Sequence, residues 1–182
     1  MNIIGIHKPY LYSVKFEGEE SDEFSRILEE LTDVSAVHEF LEANKDIFDA
    51  YYSRYFNNTL EAAEQIAEEA DEVENYLEIL KCNTEIGKEP DYNTFFQFLN
   101  GIYKCDVKYI PMKAYGVNYR PSLIRLYAIR IEPNVYIIVD GGIKLCRKIQ
   151  DSPGLKETVF KKINKVREYL QINGIIDSED MD

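Results

Sequence analysis

The second half of the chain sets cations and tyrosines at short intervals. Lys113, Tyr115, Tyr119 and Arg120 come first, then Arg125, Tyr127 and Arg130, then Lys144, Arg147 and Lys148. Gathered on one sheet face, such lysines and arginines neutralise phosphates, and the tyrosines stack on unpaired bases. The same residue types suffice for RNA cleavage without histidine. An Arg or Lys stabilises the pentacovalent phosphate, and a Tyr or a Lys of lowered pKa moves the proton. Regular strand alternation turns Arg125 and Arg130 to opposite faces. On a last strand it gives Lys144 and Lys148 a common face, with Arg147 turned away unless a bulge intervenes.

Other chemistries find less to work with. His7 and His38, the two histidines, lie far apart and read as structural or surface groups. No Ser–His or Cys–His pairing and no metal-ligand spacing is present in the sequence, so neither a metal nor a cofactor is expected. Cys82, Cys105 and Cys146 are odd in number and widely spaced, which fits free thiols in a reducing cytoplasm. Gly141-Gly142 lacks the longer glycine fingerprint and the helix that must follow it. The glutamates between Leu60 and Leu80 read as a solvated face, with no burial to raise a pKa.

The elements that must position these residues follow from periodicity. Tyr10–Phe16 alternates and predicts a strand. Ser21 is a candidate cap for a helix with the stripe Phe24, Ile27, Leu28 and Leu31, and Asp33 for a second carrying Val34, Val37, Phe40 and Leu41. A third segment holds Ile47, Phe48, Tyr51, Tyr52, Tyr55 and Phe56. Asn58 and Glu61 have capping-box spacing ahead of the longest helix, whose stripe is Leu60, Ala63, Ile66, Ala67, Ala70, Val73, Leu77 and Leu80. Gly87–Pro90 breaks the pattern, and a short aromatic helix over Tyr92–Leu99 follows. Strands are predicted at Tyr103–Tyr109, Leu123–Ile131, Val135–Asp140 and Ile143–Ile149, with Pro111–Pro121 a loop, and Gly141-Gly142 allows positive φ or a close backbone approach. A last helix runs from Leu155 to Leu170. The fold class is therefore α+β: an N-terminal strand, an acidic helical layer on one face of a three- to four-stranded antiparallel meander, and a C-terminal helix.

The chain has 182 residues and a net charge of −12, with 45% apolar residues. That length predicts a single domain, here residues 1–176, ending in an acidic tail at 177–182. Charge divides it: Glu17–Asp91 carries a net −18 and Tyr92–Ile176 a net +8. No apolar run is long enough to cross a membrane, and no secretion signal is read at the start, so a cytoplasmic protein is expected. The basic half argues for an anionic partner; alternatively, the two halves neutralise each other.

The segment RLYAIRIEPNVYIIVDGGIKLCRKIQDSPGL, Arg125–Leu155, resembles the C-terminal signature of the RelE/ParE/HigB superfamily of type II toxin–antitoxin toxins. The resemblance implies a RelE-like fold and a translation inhibitor or ribosome-dependent mRNA endonuclease. It also implies neutralisation by a cognate antitoxin, of helix-turn-helix type. It implies catalytic roles for Arg125, Lys144 and Lys148, with Arg147 as a phosphate contact; Lys113, Tyr119, Arg120, Tyr127 and Arg130 are RNA contacts by residue type alone. The family's adjacent lysines are here separated into Lys144 and Arg147-Lys148, and the acidic helices have no counterpart in the minimal toxin. Two further readings stay open. One is a non-catalytic protein of the same fold that binds a protein partner through its acidic helices or Phe48–Phe56. The other is a nucleic-acid mimic formed by the acidic half. A homodimer is compatible with each.

Overall fold

The computed structural model describes residues 1–99 and 108–181. Strands β1 (Asn2–His7) and β2 (Leu11–Lys15) form a hairpin, and three helices follow: α1 (Glu23–Thr32), α2 (Val34–Ala43) and α3 (Lys45–Tyr52). Asp22, not Ser21, caps α1; its carboxylate accepts from the amides of Phe24 and Ser25 at 3.0 and 3.3 Å. Asp33 caps α2 through the Ala36 amide. Asn58 caps α4 (Thr59–Glu85) by accepting from the Glu61 amide, and the Glu61 carboxylate reaches back to the Asn57 amide at 2.8 Å. After the break come α5 (Tyr92–Phe95), β3 (Gln97–Phe98), β4 (Ile110–Tyr115), β5 (Ile124–Glu132), β6 (Val135–Ile143) and α6 (Val159–Ile172).

The described strands form one mixed sheet in the order β1-β2-β6-β5-β4-β3. The run β3 to β6 is an antiparallel meander in which β5 and β6 are expected strands and β3 and β4 are not, and β2 pairs parallel with β6 through Leu11–Tyr136 to Ser13–Ile138. Helices cover both faces rather than one. On the first face, Phe24, Ile27 and Leu31 of α1 and Ile66, Ala70 and Val73 of α4 cover Leu126, Ala128, Tyr136 and Ile138. On the second, Val159, Ile163, Val166 and Leu170 of α6 cover Tyr127, Ile129, Ile137 and Val139. Odd and even positions of β5 and β6 feed separate cores, the alternation of a pleated strand buried on both sides.

Several expected boundaries are corrected. β1 is an unexpected edge strand, with Asn2, Ile4 and Gly5 exposed and no apolar alternation to announce it. Part of the expected Pro111–Pro121 loop is β4, paired along its length with β5. Gly141-Gly142 lies at the end of β6 and shows both expected features: Gly142 has φ 147°, and a Cβ on Gly141 would lie 2.8 Å from both the Arg125 carbonyl oxygen and Ile27 Cδ1. The expected strand Ile143–Ile149 is replaced by a loop over 144–148 and a 3₁₀ turn, Ile149–Asp151. The expected strand Tyr103–Tyr109 lies outside the described residues over 103–107, and Tyr109 has a left-handed backbone, φ 58°. The last helix starts at Val159, after turns over 155–158.

The largest correction on α4 concerns its faces. Leu60 is exposed and Glu69 is fully buried. A buried charge cluster also joins the two faces. Glu23 and Asp140 are nearly inaccessible, and Arg26 of α1 and Lys162 of α6 each pair with both of them, at 2.7–3.2 Å. Two anions and two cations cancel, as a desolvated cluster requires.

Candidate RNA-binding cleft

The register of β4 on β5 sets Lys113 opposite Tyr127 and Tyr115 opposite Arg125, so these four side chains share one face near the sheet end. β6 ends beside them at Ile143, and the Lys144 amide donates to the Leu123 carbonyl at 2.8 Å. The chain then turns through Lys144–Lys148 as a loop. Strand alternation therefore does not apply to Lys144, Arg147 and Lys148, and all three turn to the same cavity. That cavity, of about 200 Å³, is lined by Lys113, Tyr115, Arg125, Tyr127, Lys144, Arg147 and Lys148, with Leu99, Ile149, Gln150 and Phe160 completing its wall.

A second hollow, of about 340 Å³, opens beside the first and shares Arg125, Lys144 and Arg147 with it. Its other wall is Tyr51, Tyr52, Arg54 and Tyr55, at the end of α3 and in the turn after it. The Tyr52 hydroxyl donates to the Lys144 carbonyl at 3.0 Å, tying α3 to the cationic loop. Phe48 stacks on Tyr52 and meets Phe56, anchoring the segment in the core. Among the described residues, no carboxylate lines either hollow, and no ion pair engages Lys113, Arg125, Lys144, Arg147 or Lys148. Five cations around one cavity, none of them in an ion pair among the described residues, make a candidate site for an anion.

Arg125 is fixed rather than free. Its Nη1 donates to the carbonyls of Ile124 and Ser122 at 2.6 and 3.0 Å, and its guanidinium lies 3.8 Å over the Tyr115 ring. Burial pulls its pKa down, while Tyr115, Tyr127, Tyr52 and Glu69 pull the other way. Lys144 donates to the carbonyls of Cys146 and Arg147 at 2.7 and 2.6 Å. Burial and then the charges of Arg125 and Lys113 lower its pKa. Burial pushes the pKa of Tyr127 upward, so its hydroxyl stays a donor, and among the described residues that hydroxyl has no hydrogen-bond partner.

Six of the nine residues singled out in the sequence thus converge: Lys113, Arg125, Tyr127, Lys144, Arg147 and Lys148. Three do not line the cleft. Tyr119 donates to Glu68 of α4 at 3.2 Å, and Arg120 is exposed and bonds the Tyr119 carbonyl. Arg130 stands over the Phe98 ring at 5.3 Å, on the opposite face from Arg125 as strand alternation requires. The two halves neutralise each other at the buried cluster, through Lys162–Glu23 and Arg26–Asp140, while no cation of the basic half pairs with α4 among the described residues. Among the described residues, contacts from this half to α4 carboxylates are the neutral ones of Tyr119 and of Asn118, which donates to Glu72.

Sequence reasoning passed over Glu69, whose carboxyl packs against Gly116 so closely that a Cβ there would collide with it. Burial raises its pKa to about 7, and the nearby Ser122 hydroxyl, Leu123 and Ile124 amides and Arg125 charge only moderate the rise. Among the described residues, no hydrogen bond of good geometry reaches either oxygen. The signal was present: Glu69 falls three after Ile66 and four before Val73, on the buried stripe. No group of acidic, His and Cys side chains that could hold a metal occurs among the described residues, and no described helix is long and apolar enough to cross a membrane. No protein-family model, curated protein or solved structure matches the chain.

Proposed function

We propose that this chain is a RelE-like toxin whose basic cleft takes the phosphodiester backbone of RNA, free or on the translating ribosome. The observation that carries the reading is the shared cavity of Lys113, Arg125, Lys144, Arg147 and Lys148, without a carboxylate in its wall. Phosphate contacts from lysine and arginine supply most sequence-independent affinity for nucleic acid. The surrounding tyrosines distinguish this cavity from a bare charged patch. The resemblance of Arg125–Leu155 to the toxin superfamily adds the partner, a cognate helix-turn-helix antitoxin that neutralises the protein.

As an endonuclease, the cleft would work by in-line attack. The 2′-oxygen bonds to phosphorus while the bond to the 5′-oxygen breaks, leaving a 2′,3′-cyclic phosphate. Lys144, once its ammonium has released a proton, would take the 2′-hydroxyl proton; burial and the charges of Arg125 and Lys113 favour that release. Arg125, held by two carbonyls, meets the charge on the pentacovalent phosphate. Lys148 returns a proton to the leaving 5′-oxygen. A second reading, RNA binding without cleavage, is favoured by one observation: the two carbonyls at Lys144 Nζ stabilise its ammonium form.

Induced expression without a partner tests the reading. Growth arrest is expected, abolished by Lys144→Ala and by Arg125→Ala in variants that retain the folded spectrum. Arrest that persists in both discards these roles. Mapping RNA ends after arrest separates the two forms. Fresh 5′-hydroxyl ends support cleavage, and intact RNA with stalled synthesis supports binding alone.

A further inference from the structure

The end of α3 and the turn after it present two large aromatic rings that the cores do not use. Tyr51 is 44% exposed and Tyr55 46%, although Phe48 and Phe56 of the same segment are buried. The Arg54 guanidinium lies 4.6 Å over the Tyr55 ring, and among the described residues it has no carboxylate partner. These three side chains wall the hollow whose other side is Arg125, Lys144 and Arg147. A stacking surface therefore stands directly beside the cationic grip, held in register by the Tyr52–Lys144 hydrogen bond.

We propose that Tyr51, Arg54 and Tyr55 form a base-stacking platform, so that the cleft selects unpaired, single-stranded RNA over duplex. This inference rests on the RNA reading above and specifies its substrate class. A phosphate seated on the cations common to the two hollows would direct the flanking nucleotides into opposite hollows, one beside Tyr115 and one against Tyr51 and Tyr55. A base in a duplex has both faces covered by its neighbours and cannot enter either. Stacking on an aromatic ring tolerates any base, so the platform confers strandedness rather than sequence. The aromatic segment that the sequence offers as a protein-docking patch is, on this account, part of the nucleic-acid site.

The test measures affinity of the full chain at low salt for three probes: a single-stranded RNA oligonucleotide, the same strand annealed to its complement, and an abasic ribose-phosphate oligomer of equal length. The double variant Tyr51→Ala, Tyr55→Ala alters only exposed side chains. It should weaken single-strand binding about tenfold or more, within the range stacked bases lose on alanine substitution. It should leave duplex and abasic binding unchanged, and Tyr51→Phe, Tyr55→Phe should restore the loss. Equal weakening on the single strand and the abasic oligomer overturns the platform, as does no weakening at all. Lys144→Gln separates the two levels. If it weakens all three probes while the double alanine variant changes none, the platform falls and the RNA reading stands. A wild-type chain that binds none of the probes overturns both.

Discussion

Replacing Glu69 by Gln probes the least expected feature of the fold. The carboxyl is fully buried on α4, and burial lifts its pKa from the ordinary 4.5 to about 7. Between those two values the folded chain binds more protons than the unfolded one, so stability falls as pH rises through the interval. That contribution is complete below 4.5 and gone above 7. At ~1.36 kcal/mol per pH unit, the interval corresponds to about 3 kcal/mol. Glu69→Gln keeps the shape and removes the ionisation. Urea unfolding of the two proteins at several pH values should give nearly equal stabilities at pH 4.5. Above pH 7 the variant should be the more stable, by up to about 3 kcal/mol. Comparing them at each pH cancels every other titrating group. A difference that does not change with pH, or a variant that is weaker at pH 8, would refute the burial argument. Ionised Glu69 also partly neutralises Arg125, so the variant should bind RNA more tightly than wild type at pH 8 and equally at pH 5.

Gly116→Ala should cost about 2 kcal/mol, because the added Cβ collides with the Glu69 carboxyl; in a Glu69→Ala background the cost should largely vanish, which a double-mutant cycle in urea would read. Lys162→Met leaves Glu23 and Asp140 with Arg26 alone, and a loss of about 2 kcal/mol or more is expected in the same assay. Tyr92→Phe removes the 2.7 Å contact to the buried His7 ring and should lower the urea midpoint by the equivalent of about 1 kcal/mol.

What the sequence discloses depends on how far a pattern runs. The 27-residue α4 repeats its apolar stripe over many turns, and α1 and α2 carry their own stripes beside a capping residue, so these elements are plain before any coordinates, although the α1 cap is one residue later than Ser21. β1 is short and half-exposed, β4 opens at Ile110-Pro111, and β6 closes on two glycines. Each local signal there points to a loop, and only pairing with a neighbouring strand overrides it. The parallel pairing of β2 with β6 joins segments more than a hundred residues apart and leaves no local trace. The cleft divides in the same way. Its lysines, arginines and tyrosines are visible as residue types, yet their convergence depends on the path of the 144–148 loop and on the β4–β5 register. Glu69 is hidden among many glutamates unless its place on the apolar stripe is weighed above its charge.

The central claim is that the cations of the cleft act together on a nucleic-acid backbone. The salt dependence of single-stranded RNA binding tests it most directly. With about four phosphates neutralised, log affinity should fall against log salt with a slope of about −3. Arg147→Gln, Lys148→Gln alters two exposed side chains and should flatten that slope by about 1.4. A slope near zero in the wild-type chain, or one that the double variant leaves unchanged, would contradict the account.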